Sequence, residues 1–187
     1  MTPFIALFFI LAGGLFAVKI AYVFSTALVL PYTRGALYVS TSRKRITALL
    51  DALPLQAGQI LVDLGCGDGR VLRHAHRRFG VQAIGYELNL LAYLKARLLC
   101  AGYSGIKVLR RNFLKADFAN ADMVFCYLFP DVMVDVAAKL KAELKAGATV
   151  ASCNFAMPGL IPDRILRPQG ALHHDPIYIY HMPAPEH

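Results

Sequence analysis

The chain has 187 residues, which suits one domain with a short appendage. Hydrophobic residues make up 57% of it and the mean hydropathy is +0.47, an excess that lies at the N-terminus. The net charge of +8 suits an anionic membrane surface or a nucleic acid and does not choose between them. The four cysteines form neither a C-x-x-C pair nor a zinc-ligand spacing, which argues against a metal site. We expect them to be reduced, buried side chains in a reducing compartment.

The first predicted element is a membrane anchor. Residues 3–31 are nearly all apolar, with Lys19 as the one charge, and a bilayer-spanning helix needs about 20 such residues. We therefore expect a single-pass anchor over 1–33 and a separate domain over 34–187. Lys19 is either tolerated within the span or pairs with an acid of a membrane partner. Basic residues follow the apolar run and none precedes it, which places the domain on the cytoplasmic side. They are Arg34, Arg43, Lys44 and Arg45.

A helix is predicted next, within 37–54. Thr41 or Ser42 provides its N-cap and Pro54 ends it. Leucine and isoleucine recur at i, i+3, i+4 and i+7, so one stripe is buried. The basic triplet at 43–45 is expected to be solvated or to face lipid headgroups.

The central feature is a strand followed by alternating glycines. Residues 60–64 read as a buried parallel strand, and Gly65, Gly67 and Gly69 lead into a helix over about 69–79. Glycine lets the backbone turn sharply and approach a ligand closely, and a helix N-terminus offers free N–H groups. Three arginines share one helix face, either solvated or able to bind an acidic partner. They are Arg70, Arg73 and Arg77.

Two acids accompany this turn. Asp63 precedes the first glycine by two residues, and Glu87 closes the next strand. The spacing is G-x-G-x-G and departs from the G-x-G-x-x-G of dinucleotide folds. Asp63 would repel a pyrophosphate but suits a cationic amino-acid end, and Glu87 is placed for ribose hydroxyls. A chance glycine turn and a nicotinamide site remain alternatives.

Strands and helices alternate through the rest of the chain. This pattern predicts an α/β fold with a Rossmann-like, doubly wound, mostly parallel seven-stranded sheet and an antiparallel C-terminal hairpin strand. The predicted strands after 60–64 are 82–87, 106–110, 122–128, 148–154, 164–167 and 176–182; the helices are 89–101 and 131–146, with a loop or short helix at 111–121. One side of helix 89–101 carries Leu90, Leu91, Leu94 and Leu98. We expect His173, His174 and His181 to be surface residues.

Several segments resemble the class I, seven-β-strand methyltransferases that use S-adenosylmethionine. More narrowly, the chain resembles the small membrane-anchored lysine methyltransferases of the adenine nucleotide translocase and ATP synthase c-subunit type, with their prokaryotic relatives. The matching segments are 37–41 (Leu-Tyr-Val-Ser-Thr), 62–70 (Val-Asp-Leu-Gly-Cys-Gly-Asp-Gly-Arg), 85–89 (Gly-Tyr-Glu-Leu-Asn), 113–117, 127–130 (Tyr-Leu-Phe-Pro) and 154–155.

The resemblance implies an S-adenosylmethionine-dependent methyltransferase that modifies a lysine ε-amine, with a membrane protein as substrate. It implies that Tyr127 and Asp131 line the acceptor pocket as catalytic candidates. The implied cofactor-binding residues are Tyr38, Thr41, Asp63, Gly65, Cys66, Gly67, Asp68, Gly69, Glu87, Leu88, Asn112 and Phe113. Asn112 and Phe113 would border the adenine, while Tyr38 and Thr41 would cover the acceptor pocket.

This chain departs from the family pattern at several positions. It has Val-Ser-Thr-Ser where Val-Pro-Thr-Pro is usual, Asn112 where Asp is usual, and Asn154 where Arg is usual. The Asn/Asp-Pro-Pro-aromatic signature of nucleic-acid amine methyltransferases is absent, and no proline precedes Cys126, which argues against a nucleic-acid substrate. The open alternatives are methylation of a lipid or quinone-like molecule, and a membrane-tethered binding module without turnover.

Overall fold

The computed structural model describes residues 3–33, 41–53, 55–168 and 175–183. The chain divides into two compact units, Met1–Leu37 and Tyr38–His187. The first unit contains helix α1 (Pro3–Thr33), whose stretch Pro3–Ser25 is long and apolar enough to cross a bilayer. Within the described ranges it is the one helix with that length and composition.

The second unit is built on a seven-stranded sheet with helices between the strands. Its elements are α2 (Arg43–Asp51), β1 (Ile60–Leu64), α3 (Arg70–Phe79), β2 (Gln82–Tyr86), α4 (Leu90–Cys100), β3 (Ile106–Leu109), a 3₁₀ turn (Phe113–Lys115), β4 (Met123–Cys126), α5 (Pro130–Glu143), β5 (Thr149–Cys153), β6 (Arg164–Leu166) and β7 (Ile177–His181). Each element lies within a few residues of its prediction.

The strand order is β3-β2-β1-β4-β5-β7-β6. Strands β1 to β5 run parallel, and β7 and then β6 add antiparallel pairs at one edge. The predicted sheet with its antiparallel hairpin is thus confirmed. The order reverses between β1 and β4, and ligands of open α/β sheets bind beyond the carboxyl ends of the strands at such a switch point.

Two apolar clusters cover the two faces of the sheet. One joins α2 and α3 to the sheet through residues such as Leu49 and Leu72, and the other joins α5 through residues such as Met133 and Leu140. Ser42 caps α2 by accepting the Arg45 N–H. The four cysteines are free and buried, as expected.

Most elements are a residue or so shorter than predicted, and the C-terminal ends of β4 and α5 differ more. Strand β4 ends at Cys126, so the residues 127–128 lie beyond it. Helix α5 ends at Glu143, because the following backbone turns toward the sheet edge, where the N–H of Gly147 donates to the carbonyl of Met182 at 2.9 Å.

The leucine side of α4 faces outward. Leu94 is 49% exposed and Leu98 is 77% exposed, while Ala92, Ala96 and Cys100 are buried. Small side chains let the helix lie close to the sheet, so the large leucines occupy the opposite side.

The predictions for Arg34, Tyr38, Pro54, His173 and His174 lie outside the described residues.

Candidate functional site

Asp63 lies at the carboxyl end of β1, beside the switch point. It is 2% exposed and sits in register with Gly85 on β2 and Phe125 on β4. Burial raises the pKa of this carboxyl well above its ordinary value, and the charges of Glu87 and Asp68 add to the effect. The site therefore favours a cationic group near Asp63, since a positive charge would offset both causes.

The glycine turn follows β1 directly. Gly65, Gly67 and Gly69 have φ values of 81°, 57° and 71°, in the left-handed region that favours glycine. The N–H groups of Gly65 and Cys66 donate to the Tyr86 carbonyl at 3.0 and 2.9 Å. These two hydrogen bonds attach the turn to the end of β2.

Glu87 fixes the same turn from the other side. Its Oε2 accepts the Gly67 N–H at 3.0 Å, and its Oε1 accepts the Asn89 N–H at 2.8 Å. Burial raises the pKa of Glu87, although these hydrogen bonds oppose the rise. Each carboxylate oxygen has a second lone pair, so Glu87 can still accept from a ligand hydroxyl while holding the turn.

Asp68 anchors two of the arginines. Arg70 donates to both of its carboxylate oxygens, from Nε at 2.9 Å and from Nη2 at 2.8 Å. Arg73 donates to the Asp68 carbonyl, and Arg70 also donates to the carbonyl of buried Thr41 at 3.1 Å. Burial acts to raise the pKa of Asp68, but the Arg70 hydrogen bonds and charge lower it overall. The expectation of a solvated arginine face is thus wrong for Arg70 and Arg73.

Gly85 lets helix α3 and the turn approach β2. A Cβ at this position would lie 2.6 Å from both the Cys66 Sγ and the Leu72 Cδ1. Cys66 is accordingly buried under the turn, where its thiol packs against the sheet. Leu88, at the rim, is partly exposed.

Asn112 and Phe113 lie after β3. The Asn112 side-chain oxygen accepts the Leu114 N–H at 2.9 Å and caps the 3₁₀ turn. Phe113 is half-buried and packs against the apolar cluster on the α5 side of the sheet. Their assignment to the adenine stays a prediction.

A three-residue cluster lies beyond β4 and β5, and we call Arg45, Tyr127 and Asp175 the polar triad. Asp175 Oδ2 accepts the Arg45 Nη2–H at 2.9 Å and the Tyr127 O–H at 3.1 Å. The Arg45 Cζ is 5.4 Å from the Tyr127 ring centroid. Burial raises the pKa of Tyr127, Arg45 opposes the rise, and Asp175 adds to it. Tyr127 is therefore a hydrogen-bond donor at neutral pH.

The backbone beside the triad is held in an unusual conformation. Asn154 has φ 72° and is the one non-glycine residue among those described with a positive value. Its N–H donates to the Pro176 carbonyl at 2.8 Å, which fixes the residue next to Asp175. Asp131, the other pocket candidate, is exposed in the first turn of α5.

The sequence did not reveal two members of the triad. Arg45 was expected to be solvated, yet it is 5% exposed. Asp175 lies 130 residues further along the chain and has no local pattern to mark it. No group of three or more potential metal ligands occurs within the part of the chain that the structure describes.

Comparison with known proteins places this site in context. Residues 63–164 match the family model described as the ANTKMT methyltransferase domain. A protein-lysine N-methyltransferase of Saccharolobus islandicus is 30% identical over 147 residues, covering 76% of this chain and 91% of that protein. The Mus musculus lysine N-methyltransferase named for the c-subunit of ATP synthase is 33% identical, covering 81% of this chain and 62% of that protein.

A solved structure shares the fold. It is an RNA methyltransferase from Salinibacter ruber in complex with S-adenosyl-L-homocysteine, 28% identical, with a TM-score of 0.72. The alignment covers 78% of this chain and 94% of that one. The mouse relative extends beyond the match, since this chain spans 62% of its length.

Proposed function

Since this chain belongs to the ANTKMT methyltransferase family, and is accordingly an S-adenosylmethionine-dependent methyltransferase, we propose that it methylates a lysine ε-amine of a membrane protein. The observation that carries the lysine assignment is the identity with a protein-lysine N-methyltransferase along 91% of that relative's length. The membrane assignment rests on the apolar stretch Pro3–Ser25.

The carboxyl edge of β1 and β2 suits S-adenosylmethionine. Two carboxylates with raised pKa values, the buried Asp63 and the partly buried Glu87, match a ligand that carries an ammonium group and ribose hydroxyls. Asp63 would accept from the ammonium, and Glu87 would accept from the ribose while it holds Gly67. When bound, this cofactor supplies an activated methyl group on a positively charged sulfur.

The polar triad suits the acceptor side. Tyr127 follows β4, next to the switch point, and its hydroxyl is oriented by Asp175. A lysine has an ordinary pKa of about 10.4 and must lose its proton before its nitrogen can attack. Partial desolvation lowers the pKa of an incoming ammonium, and the Arg45 charge adds to this effect, while the Asp175 carboxylate paired with Arg45 opposes it. Most of the remaining work is alignment of the amine with the methyl group.

Helix α1 would hold the enzyme at a membrane. Its Pro3–Ser25 stretch is long enough to span, and the basic residues after it favour a cytoplasmic domain. An enzyme held there meets membrane-protein lysines at a raised effective concentration.

Label transfer tests the acceptor. The full-length protein is incubated with methyl-labelled S-adenosylmethionine and membranes of its source organism, and protein, lipid and RNA are then separated. Methyl-lysine in a membrane protein is the expected result. Label in lipid or in RNA would overturn the lysine assignment. RNA is included because the Salinibacter ruber structure is named as an RNA methyltransferase. Cofactor binding without any label would favour a binding module.

Tyr127→Phe tests the pocket. The variant loses the hydroxyl that donates to Asp175, and we expect it to bind cofactor normally but to turn over more slowly. Tyr93→Phe is the matched control, because that tyrosine lies on α4 and contacts Arg97 instead. Equal turnover in both variants would remove Tyr127 from the acceptor site.

A further inference from the structure

The outer side of α4 is an apolar surface in a domain otherwise rich in exposed charge. We call Leu90, Leu94 and Leu98 the leucine face; they follow one another at i, i+4 and i+8 and therefore line up along the helix. They are 39%, 49% and 77% exposed. Contiguous exposed apolar surface of this kind marks an interaction site.

Cations flank the leucine face on both sides. At 100° per residue, Arg97 lies next to Leu90 on one side, and Lys95 lies beyond Leu98 on the other. The ammonium of Lys95 is 3.8 Å from Asp68, with its side chain 61% exposed, and Arg97 contacts Tyr93. Helix α4 contains no acidic residue. Long basic side chains can extend toward a polar surface while the apolar residues between them are buried.

We propose that the leucine face of α4 inserts into the headgroup region of an anionic lipid bilayer. Leucines bordered by Lys and Arg are the arrangement of helices that lie in a membrane interface. A second protein would require acidic groups opposite both Lys95 and Arg97, whereas anionic lipid headgroups supply them everywhere along the helix. The proposal goes beyond the proposed function by giving the domain a membrane contact of its own, and it rests on that function for the presence of a membrane.

The contact would also orient the domain. Helix α4 begins directly after Glu87 and Asn89, so its N-terminus is fastened to the proposed cofactor site. A bilayer bound along the leucine face would therefore fix the cofactor-binding edge of the sheet relative to the lipid surface.

Site-specific fluorescence on the full-length protein tests this. Leu98→Cys and, as the matched control, Val134→Cys each receive an environment-sensitive label; Val134 is apolar, 61% exposed and lies on α5. The native cysteines are buried. The proteins are reconstituted into vesicles of phosphatidylcholine with phosphatidylglycerol, and into phosphatidylcholine alone, with nitroxide-labelled lipids as quenchers.

We expect a blue shift and quenching at position 98 but not at 134, with a weaker response in neutral vesicles. Arg97→Glu should reduce the response in anionic vesicles. A label at position 98 that stays in water while the protein floats with the vesicles would overturn the leucine-face contact and leave the α1 anchor intact. A shift at both positions, or at 98 without vesicles, would also overturn it. If the protein does not float with the vesicles and the label fluorescence does not shift, both the leucine-face contact and the α1 anchor would be overturned.

Discussion

Asp63→Asn removes the negative charge of the Asp63 side chain while it keeps nearly the same size and shape. Asp63 is 2% exposed, and its raised pKa means that ionisation at neutral pH opposes folding of the cofactor-free protein. A hydrogen bond to a charged group contributes about 1.5–3 kcal/mol. Asparagine keeps an acceptor oxygen, and a neutral hydrogen bond contributes about 0.5–1.5 kcal/mol. The difference of about 1–1.5 kcal/mol should weaken S-adenosylmethionine binding by about fivefold to about twelvefold, at about 1.4 kcal/mol per tenfold.

Although Asp63→Asn should weaken cofactor binding, it should stabilise the fold of the cofactor-free protein. A carboxyl whose folded pKa lies above its unfolded value makes stability fall as pH rises from the unfolded pKa, near 3.9, to the folded pKa. The wild-type protein should show this fall, and the asparagine variant should lack the Asp63 part of it. The variant should therefore unfold at a higher temperature than wild type at pH 7 without cofactor, and bind cofactor less tightly.

Calorimetric titration and thermal unfolding across pH measure both effects. Asp122→Asn is the matched control at the opposite edge of the sheet, where Asp122 accepts the Ile60 N–H and pairs with Lys145. Burial acts to raise the pKa of Asp122, but its contacts with Lys145 and the Ile60 N–H lower it overall. Removing the Asp122 charge should therefore reduce stability at neutral pH and leave cofactor binding unchanged. Unchanged affinity in the Asp63 variant, or a loss of stability at pH 7, would refute the reasoning.

Three further predictions concern packing and charge. Gly85→Ala should reduce the free energy of unfolding by about 1–3 kcal/mol, because the new methyl would lie 2.6 Å from a sulfur and a leucine methyl; Gly102→Ala, in open space, should stay within about 0.5 kcal/mol in urea unfolding. Burial raises the pKa of the Cys126 thiol to about 12, so it should resist thiol reagents at pH 8 until the protein unfolds, and rapid labelling of the native protein would contradict this. Arg45→Met should cost about 1–3 kcal/mol in urea unfolding, since it leaves the partly buried Asp175 carboxylate without this partner; adding Asp175→Asn should recover part of the loss, and strictly additive effects would contradict the coupling.

The residues of the proposed cofactor side could be chosen from the sequence because they are close together along the chain. Asp63, the glycines and Glu87 fall within 25 residues on one strand–turn–helix–strand unit, and the periodicity of apolar residues locates such units well. The hydrogen bonds within the turn were less predictable, because spacing shows that a glycine permits a turn and does not show what its N–H contacts. The Glu87 contact with Gly67 depends on the three-dimensional path of the backbone.

On the proposed acceptor side, the sequence pointed to Tyr127 but not to its partners Arg45 and Asp175, for a related reason. Arg45 and Asp175 are 130 residues apart, and each on its own matches an ordinary pattern, a basic helix start and a loop acid. Tertiary packing brings them together because β7 returns antiparallel to β5 and places residue 175 at the carboxyl edge of the sheet. Tertiary packing also overrides the local pattern in α4. Its leucines suggested a buried side, but its small residues lie against the sheet. Close helix–sheet packing selects the side with the smaller residues, so an alanine stripe is the better sequence signal for the inner side of such a helix.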